Sequence, residues 1–267
     1  MTTGLSSSPP VGSKTFLAGG ALCLALAAGQ VTAAEGIDPE VDKVLRSMSA
    51  YLGGLPSFSV NADIGTEIID LEGQKIQLSS SSAITIQRPN KLHVRRQGAL
   101  VDAEMIVDGK TLTIYGKERN LYFQTENPGN IDEVIDAIRT GIGLDAPAAD
   151  LMYADPYPTL ASGVNSSTYL GTAFVNGVES HHLAFRQDKV DWQLWVKAGD
   201  QPLPMKYIVT TKWMTGAPQY SVRFQDWNTK PQIEADQFAF SAPEGAKRLT
   251  AIAVDHVGEP IIEEEQQ

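Results

Sequence analysis

The adjacent histidines His181 and His182 are the first residues whose types suggest chemistry, because imidazole binds metal ions and transfers protons near neutral pH. They lie in a run whose apolar and polar residues alternate as in a β-strand, where neighbouring side chains point to opposite faces. One metal ion therefore cannot easily bind both rings. His93 and His256 lie at no ligand spacing from this pair. The sequence thus predicts no metal site and no cofactor.

Sequence motifs for catalysis are missing from the chain. It has no Gly-x-Ser-x-Gly nucleophile turn, no His-Glu-x-x-His metalloprotease motif and no glycine-rich phosphate loop. The acidic pair Asp132-Glu133 suits the first turn of a helix, and Asp102 and Glu104 suit the solvent face of a strand. We expect no catalytic residues and predict that the protein is not an enzyme.

Two tryptophans on one predicted strand are expected on opposite faces of the sheet. Trp192 has the same parity as Leu194 and Val196, which predicts a core position. Trp195 has the opposite parity and is expected on the other face. There it is either part of a contact surface or a singly exposed aromatic residue.

The first 34 residues have the order of a secretory signal peptide. Lys14 is their only charged side chain, an apolar run from 16 to 28 follows, and small residues lead to a cleavage site near Ala33 or Ala34. The apolar run is too short to span a bilayer. Cys23, the only cysteine, falls inside this run, so the mature protein has no disulfide. We expect an exported, soluble protein with one domain over 35–250 and an acidic, disordered tail over 251–267.

The charge of the chain limits its partners. The formal net charge is −11 at pH 7, and removal of the leader with Lys14 makes it more negative. This charge repels nucleic acids and anionic membrane surfaces. We therefore expect no nucleic acid partner and no stable membrane association, although a carrier that touches a membrane transiently is compatible with the charge.

Period-two alternation over 83–123 predicts hairpin-connected antiparallel strands with one face on a core. Turn residues separate these strands at 88–90, and Asp108-Gly109 predicts a type I′ hairpin turn. The long strand over 75–87 contains a run of four serines, whose small side chains let a sheet curve or a ligand approach. A second set of strands follows between 169 and 228, with a hairpin predicted at Asn176-Gly177, and a last short strand is predicted over 237–241.

Helical periodicity appears at two places. Asp38-Pro39-Glu40 predicts the start of a helix whose apolar stripe continues to Leu52. Between the two sets of strands, an apolar helical face over 131–142 follows a capping pair, and a short irregular helix and loop are expected over 147–164. The face over 131–142 either lines a cavity or packs on a filled core.

Two motifs resemble the bacterial periplasmic lipoprotein carrier family LolA. One consists of Arg88-Pro89-Asn90-Lys91 followed by Val107–Leu112, and the other is the closing segment Glu234–Gly245 with its Phe-x-Phe and Pro-x-Gly. The second half, with Asn176-Gly177 and the segment 191–195, resembles instead a family of predicted periplasmic proteins assigned a LolA-like fold. The latter resemblance covers nearly the whole mature chain.

The resemblance implies a mainly β (α+β) fold, in which a curved antiparallel half-barrel sheet is covered by an N-terminal helix and an inserted helical lid. It implies a periplasmic, non-enzymatic protein that holds a lipid or lipoprotein acyl chains and carries them towards the outer membrane of a Gram-negative cell, with transient membrane-protein partners. The alternative is an interaction or sensor module that binds a peptide or a membrane-protein segment. In the carrier family, the arginine that matches Arg88 holds the lid. The expected cavity and lid residues are Arg88, Ile131, Val134, Ile135, Ile138, Ile142, Met152 and Trp192.

Overall fold

The computed structural model describes residues 36–126, 129–142, 147–254 and 260–261. The chain divides into two units after Thr32, and the described residues all belong to the second unit. The expected signal peptide lies outside the described residues, as do 255–259 and 262–267 of the expected tail. Within that tail, β13 (Ala253–Val254) pairs with β14 (Pro260–Ile261). Every helix among the described residues is too short or too polar to span a bilayer.

One curved twelve-stranded sheet dominates the fold, and it confirms the predicted mainly β class. In order across the sheet, the strands are β12, β6, β5, β4, β3, β2, β1, β11, β10, β9, β8 and β7. All neighbours are antiparallel except β12 and β6. The strands are β1 Ser57–Ile69, β2 Lys75–Gln87, β3 Lys91–Gly98, β4 Asp102–Val107, β5 Thr111–Gly116, β6 Leu121–Glu126, β7 Ser166–Val175, β8 Val178–Arg186, β9 Val190–Lys197, β10 Pro204–Thr211, β11 Gln219–Asn228 and β12 Lys247–Leu249.

Within the part of the chain that the structure describes, the helices belong to two segments. Helix α1 (Pro39–Gly53) begins at Asp38, whose carboxylate accepts the N–H of Glu40, and its apolar stripe is buried as the periodicity predicts. The helical insertion contains α2 (Ile131–Ala137), a π-helical turn (Ile138–Ile142), a 3₁₀ helix (Pro147–Met152) and α3 (Pro156–Ala161). Asn130 and Glu133 form the predicted capping box of α2.

The pairing registers define two ends of the sheet. Strands β1 and β2 pair from Ser57–Gln87 to Ile69–Lys75, so the run of serines lies within one long strand, as predicted. We call the end that carries the turn 88–90 the upper end. Because successive neighbours run antiparallel, the turns 70–74, 99–101 and 212–218 all lie at the opposite, lower end.

One predicted turn and one predicted strand differ from the structure. Asp108 lacks the positive φ that a type I′ turn requires. Its carboxylate instead accepts the N–H groups of Lys110 and Thr111 at 2.7 and 2.8 Å, which organises the turn through the side chain. At Asn176 and Gly177, both φ angles are positive, as a type I′ turn requires, and the predicted hairpin is confirmed by the pairing of β7 with β8.

The strand predicted over 237–241 is wrong. This segment forms a turn followed by extended chain, and the sheet ends with β12 instead. The alternation arises because Phe238 is buried, while Phe240 lies 5.6 and 5.2 Å from the rings of Tyr115 and Tyr122. Packing of aromatic side chains on the outer face of the sheet therefore produces a strand-like pattern without strand pairing.

Candidate ligand-binding cavity

A cavity of about 890 Å³ lies between the concave face of the sheet and the helical insertion. Its walls are mostly aliphatic and aromatic. On the sheet, the large lining side chains include Ile64, Ile84, Val94, Met105, Trp192, Tyr207, Val209, Tyr220, Val222 and Phe224; on the insertion, they include Ile135, Ile138, Met152 and Leu160. Both halves of the sheet therefore contribute to one apolar cavity.

Small side chains on the sheet leave the space that the cavity occupies. Ala62 pairs with Ser82, Ser82 with Arg96, and Arg96 with Ala103, so these residues form a row across β1 to β4. Three of the four have side chains of one or two heavy atoms, and all four line the cavity. Ser82 belongs to the serine run of β2. Its position in the cavity wall is consistent with the expectation that small residues on this strand let a ligand approach.

The seven apolar residues of the expected site fall into three groups. Ile135, Ile138, Met152 and Trp192 line the cavity. Ile131 and Val134 are almost fully buried in the main core instead. The N–H of Ile131 donates to Pro89 O at 2.9 Å, which places the first turn of α2 against the upper end, and only its next turn reaches the cavity. The side chain of Ile142 lies outside the described residues.

Arg88 lies outside the cavity lining but contacts the insertion that covers it. Its Nη2 donates to the carbonyl oxygens of Met152 and Tyr153 at 3.1 and 3.0 Å. Burial lowers the pKa of the Arg88 guanidinium, and the nearby carboxylate of Asp132 partly opposes this shift. The guanidinium stays charged at physiological pH, so these hydrogen bonds are charge-assisted. The β2–β3 turn therefore contacts the insertion at two places, the start of α2 and the end of the 3₁₀ helix.

Polar contacts join the separate helices of the insertion. The Tyr153 hydroxyl donates to Asp136 Oδ1 at 2.6 Å, and Asp132 Oδ1 accepts the N–H of Ala154 at 2.9 Å. Arg139 Nη2 lies 2.7 Å from Asp150 Oδ1. Burial first, and then the hydrogen bond to Asp136, raises the pKa of Tyr153 to about 12. These contacts fasten α2 and the π-helical turn to the segment that Arg88 holds.

The two histidines occupy opposite faces of β8, as expected. His181 Nδ1 lies 2.8 Å from the Tyr169 hydroxyl, whereas the His182 ring stacks on Trp195 at 4.0 Å. Among the described residues, no group of three or more His, Cys, Asp or Glu could hold a metal ion.

Trp195 does lie on the face opposite Trp192, but it is only 8% exposed. His182 covers its ring, and the Lys206 ammonium lies 4.7 Å from the ring centroid. The hypothesis of an exposed contact residue is therefore wrong for Trp195. Trp213, which the strand pattern did not single out, is 69% exposed at the lower end.

Comparison with known proteins identifies a family and several similar folds. Residues 41–252 match the model of a family described as "Predicted periplasmic protein (DUF2092)". No curated protein matches the sequence.

Similar solved structures have low identity to the chain. An uncharacterized conserved protein from Thermus thermophilus has 8% identity and a TM-score of 0.47, over 79% of this chain and 98% of that chain. Lipoprotein LppX from Mycobacterium tuberculosis has 11% identity and a TM-score of 0.42, over 73% and 98% of the two chains. The LolA superfamily protein NE2245 from Nitrosomonas europaea has 10% identity and a TM-score of 0.35, over 74% and 96%.

Proposed function

The chain belongs to the DUF2092 family of predicted periplasmic proteins, and from this premise we propose that it is a non-enzymatic binding protein for a hydrophobic ligand. The ligand is a lipid or the acyl chains of a lipoprotein, held between the sheet and the helical insertion. The protein takes up this ligand in the periplasm and carries it towards the outer membrane.

The cavity of about 890 Å³ is the observation that carries this proposal. Ligand sites typically have volumes of roughly 300–1,000 Å³ and mostly apolar walls. An acyl chain gains about 0.8 kcal/mol for each CH₂ group that it buries, so an apolar cavity of this size favours a long hydrocarbon chain. The volume supports a ligand site over a filled core, the two arrangements that the helical periodicity left open.

Arg88 and the contacts within the insertion supply a means of retaining the ligand. The guanidinium hydrogen bonds to Met152 and Tyr153 keep the insertion over the cavity. Release of the ligand at that side requires these hydrogen bonds to break. In this proposal, Arg88 holds the insertion in place and does not contact the ligand itself.

A cavity-filling substitution tests the proposal with a matched control on the neighbouring residue. Ser82 lines the cavity, whereas Ser81 is exposed on the outer face of the same strand. We expect Ser82→Phe to weaken binding of dansylated undecanoic acid about tenfold or more, because the added ring displaces several buried CH₂ groups of the ligand. Ser81→Phe should bind like the wild type.

Native mass spectrometry of the protein purified from the periplasm identifies the natural ligand. Co-purified acyl species that are lost in Ser82→Phe and kept in Ser81→Phe support the proposal. Equal binding of the fatty acid by the two variants contradicts it. A mass that reveals bound peptide would favour the interaction module instead.

A further inference from the structure

Four large exposed apolar side chains lie in turns at the lower end, where the cavity reaches the edge of the sheet. Leu71 is fully exposed in the β1–β2 turn, and Leu100 is 58% exposed in the β3–β4 turn. Trp213 and Met214 are 69% and 42% exposed in the β10–β11 turn. We call these four residues the rim. They come from three turns that the strand registers place at one end of the sheet.

The rim is continuous with the interior of the cavity. Trp213 and Met214 are both exposed to solvent and part of the cavity lining. Ile69 and Val101, which are half-buried at the ends of β1 and of the β3–β4 turn, also line the cavity. A Cβ placed on Gly216 would lie 2.8 Å from Ile69 Cδ1, so the β10–β11 turn lies directly against the end of β1. Apolar surface therefore extends from the cavity walls to the solvent-facing tips.

The β1–β2 hairpin projects beyond its neighbour. The last pair between β2 and β3 is Ser80–Gly98, whereas β1 and β2 remain paired to Ile69–Lys75. Leu71 lies at the tip of this projection. A projecting tip with an exposed leucine can enter a lipid surface before the rest of the protein approaches it.

Charge favours an electrically neutral surface as the partner. Only Asp70, Glu72 and Lys212 are charged in the three turns, although the whole chain has a formal net charge of −11. The three turns therefore carry a small net negative charge, and neither they nor the chain as a whole attract an anionic surface. An anionic surface would repel the protein as a whole, whereas a zwitterionic bilayer can accept the rim.

We propose that the rim docks on a zwitterionic lipid bilayer and that a hydrophobic ligand passes between the bilayer and the cavity at this contact. This inference rests on the proposed ligand-binding function. Exposure of a hydrocarbon chain to water during transfer is unfavourable for every CH₂ group. When the open lower end of the cavity lies directly on the bilayer, the hydrocarbon chain can pass between the two without this exposure to water.

Flotation with phosphatidylcholine vesicles tests the docking. The test variant is the double substitution Leu71→Asp and Leu100→Asp, neither of which lines the cavity. The control variant is Leu170→Asp with Phe174→Asp, which are 53% and 74% exposed on the edge strand β7. We expect the wild type and control to float, and the bound fraction of the rim variant to fall about tenfold or more. Added phosphatidylglycerol should weaken binding of all three.

Trp213 reports the geometry of the contact. Its emission should shift to the blue on addition of vesicles and should be quenched by brominated lipid, and neither change should occur in the rim variant. A wild type that stays unbound, or rim and control variants that float equally, would overturn the proposal. A change in the sedimentation of vesicle-free protein on rim substitution would overturn it too, by assigning the rim to a second copy of the chain.

Transfer of dansylated undecanoic acid separates this inference from the proposed function. Equilibrium binding without vesicles should be the same in the wild type and the rim variant. Transfer from the wild type to vesicles should accelerate with vesicle concentration, while transfer from the rim variant should be slower and independent of it. Absent binding in solution refutes the ligand-binding function alone, whereas binding with vesicle-independent transfer from the wild type refutes docking alone.

Discussion

Arg88 connects the sheet to the insertion through one terminal nitrogen that donates to two consecutive carbonyl groups, those of Met152 and Tyr153. Both acceptors lie where the 3₁₀ helix ends, at backbone groups that the helix itself leaves without partners. A planar, charged donor suits this position because it can serve two carbonyl oxygens at once. The sequence motif identified this residue, but only the structure supplies its acceptors.

Substitution of Arg88 by leucine should loosen the insertion. Loss of a charged donor costs about 1.5–3 kcal/mol, so amide hydrogen exchange over 131–142 should accelerate about tenfold to a hundredfold. Arg88→Lys should have a smaller effect, because the ammonium keeps the charge. Arg95→Leu serves as the control, because Arg95 is exposed on the face of β3 that points away from the cavity. Unchanged exchange in Arg88→Leu would remove this residue from the retention mechanism.

Tyr153 provides a spectroscopic test of the contacts within the insertion. Its pKa of about 12 lies above the usual tyrosine value of about 10. The neutral hydroxyl therefore stabilises the fold fully below pH ~10, and this contribution is lost as the pH rises towards 12. The difference in tyrosinate absorbance between the wild type and Tyr153→Phe should have a midpoint near pH 12. Asp136→Asn should lower that midpoint, and a wild-type midpoint near 10 would contradict the geometry.

At the scale of elements, α1 is joined to α3 by a partly buried polar cluster around the buried Asp42. Asp42 lies 2.8 Å from Arg46 Nε and accepts the hydroxyl of Tyr157. Arg46 in turn donates to that hydroxyl at 2.7 Å and lies 3.7 Å from the Tyr157 ring centroid. Because α3 is only six residues long, its position depends on such contacts with α1.

Tyr157→Phe should destabilise the protein by about 1–3 kcal/mol, because it leaves the buried Asp42 carboxylate without one of its donors. Urea unfolding measures this loss. Combining Tyr157→Phe with Asp42→Asn gives a double-mutant cycle. Strictly additive effects of the two substitutions would show that the hydroxyl and carboxylate do not stabilise each other in solution.

Periodicity in the sequence predicted the elements better than it predicted the cavity. Helix α1, the long strand β2 and the helical insertion follow from spacing and capping residues, which are local properties. Alternation also placed Trp192 on the concave face. It could not show that Tyr207, Val209 and Phe224 border an open space, because a strand pattern gives the direction of a side chain and not the volume opposite it. The segment 237–241 was misassigned because packed aromatic residues imitate strand alternation.

At the scale of the whole molecule, the cavity lies between two halves of the sheet that are distant in sequence. Strands β1 to β5 supply one wall, and β9 to β11 supply the other. A ligand that contacts both walls binds only when the complete sheet has formed. Binding is therefore coupled to the stability of the entire domain.

This coupling predicts that ligand stabilises the protein with an open cavity and has little effect on the protein with a filled one. Ligand at a hundred times its Kd should stabilise the wild type by about 2.7 kcal/mol, measured as a rise in the free energy of unfolding. Without ligand, Ser82→Phe should be at least as stable as the wild type, because its ring contacts apolar walls that otherwise border empty space. With ligand, it should gain little further stability, and Ser81→Phe should respond like the wild type. Equal stabilisation of Ser82→Phe and the wild type by the fatty acid would contradict this prediction. It would show that the phenylalanine ring does not compete with the ligand, and hence that the ligand binds outside the cavity.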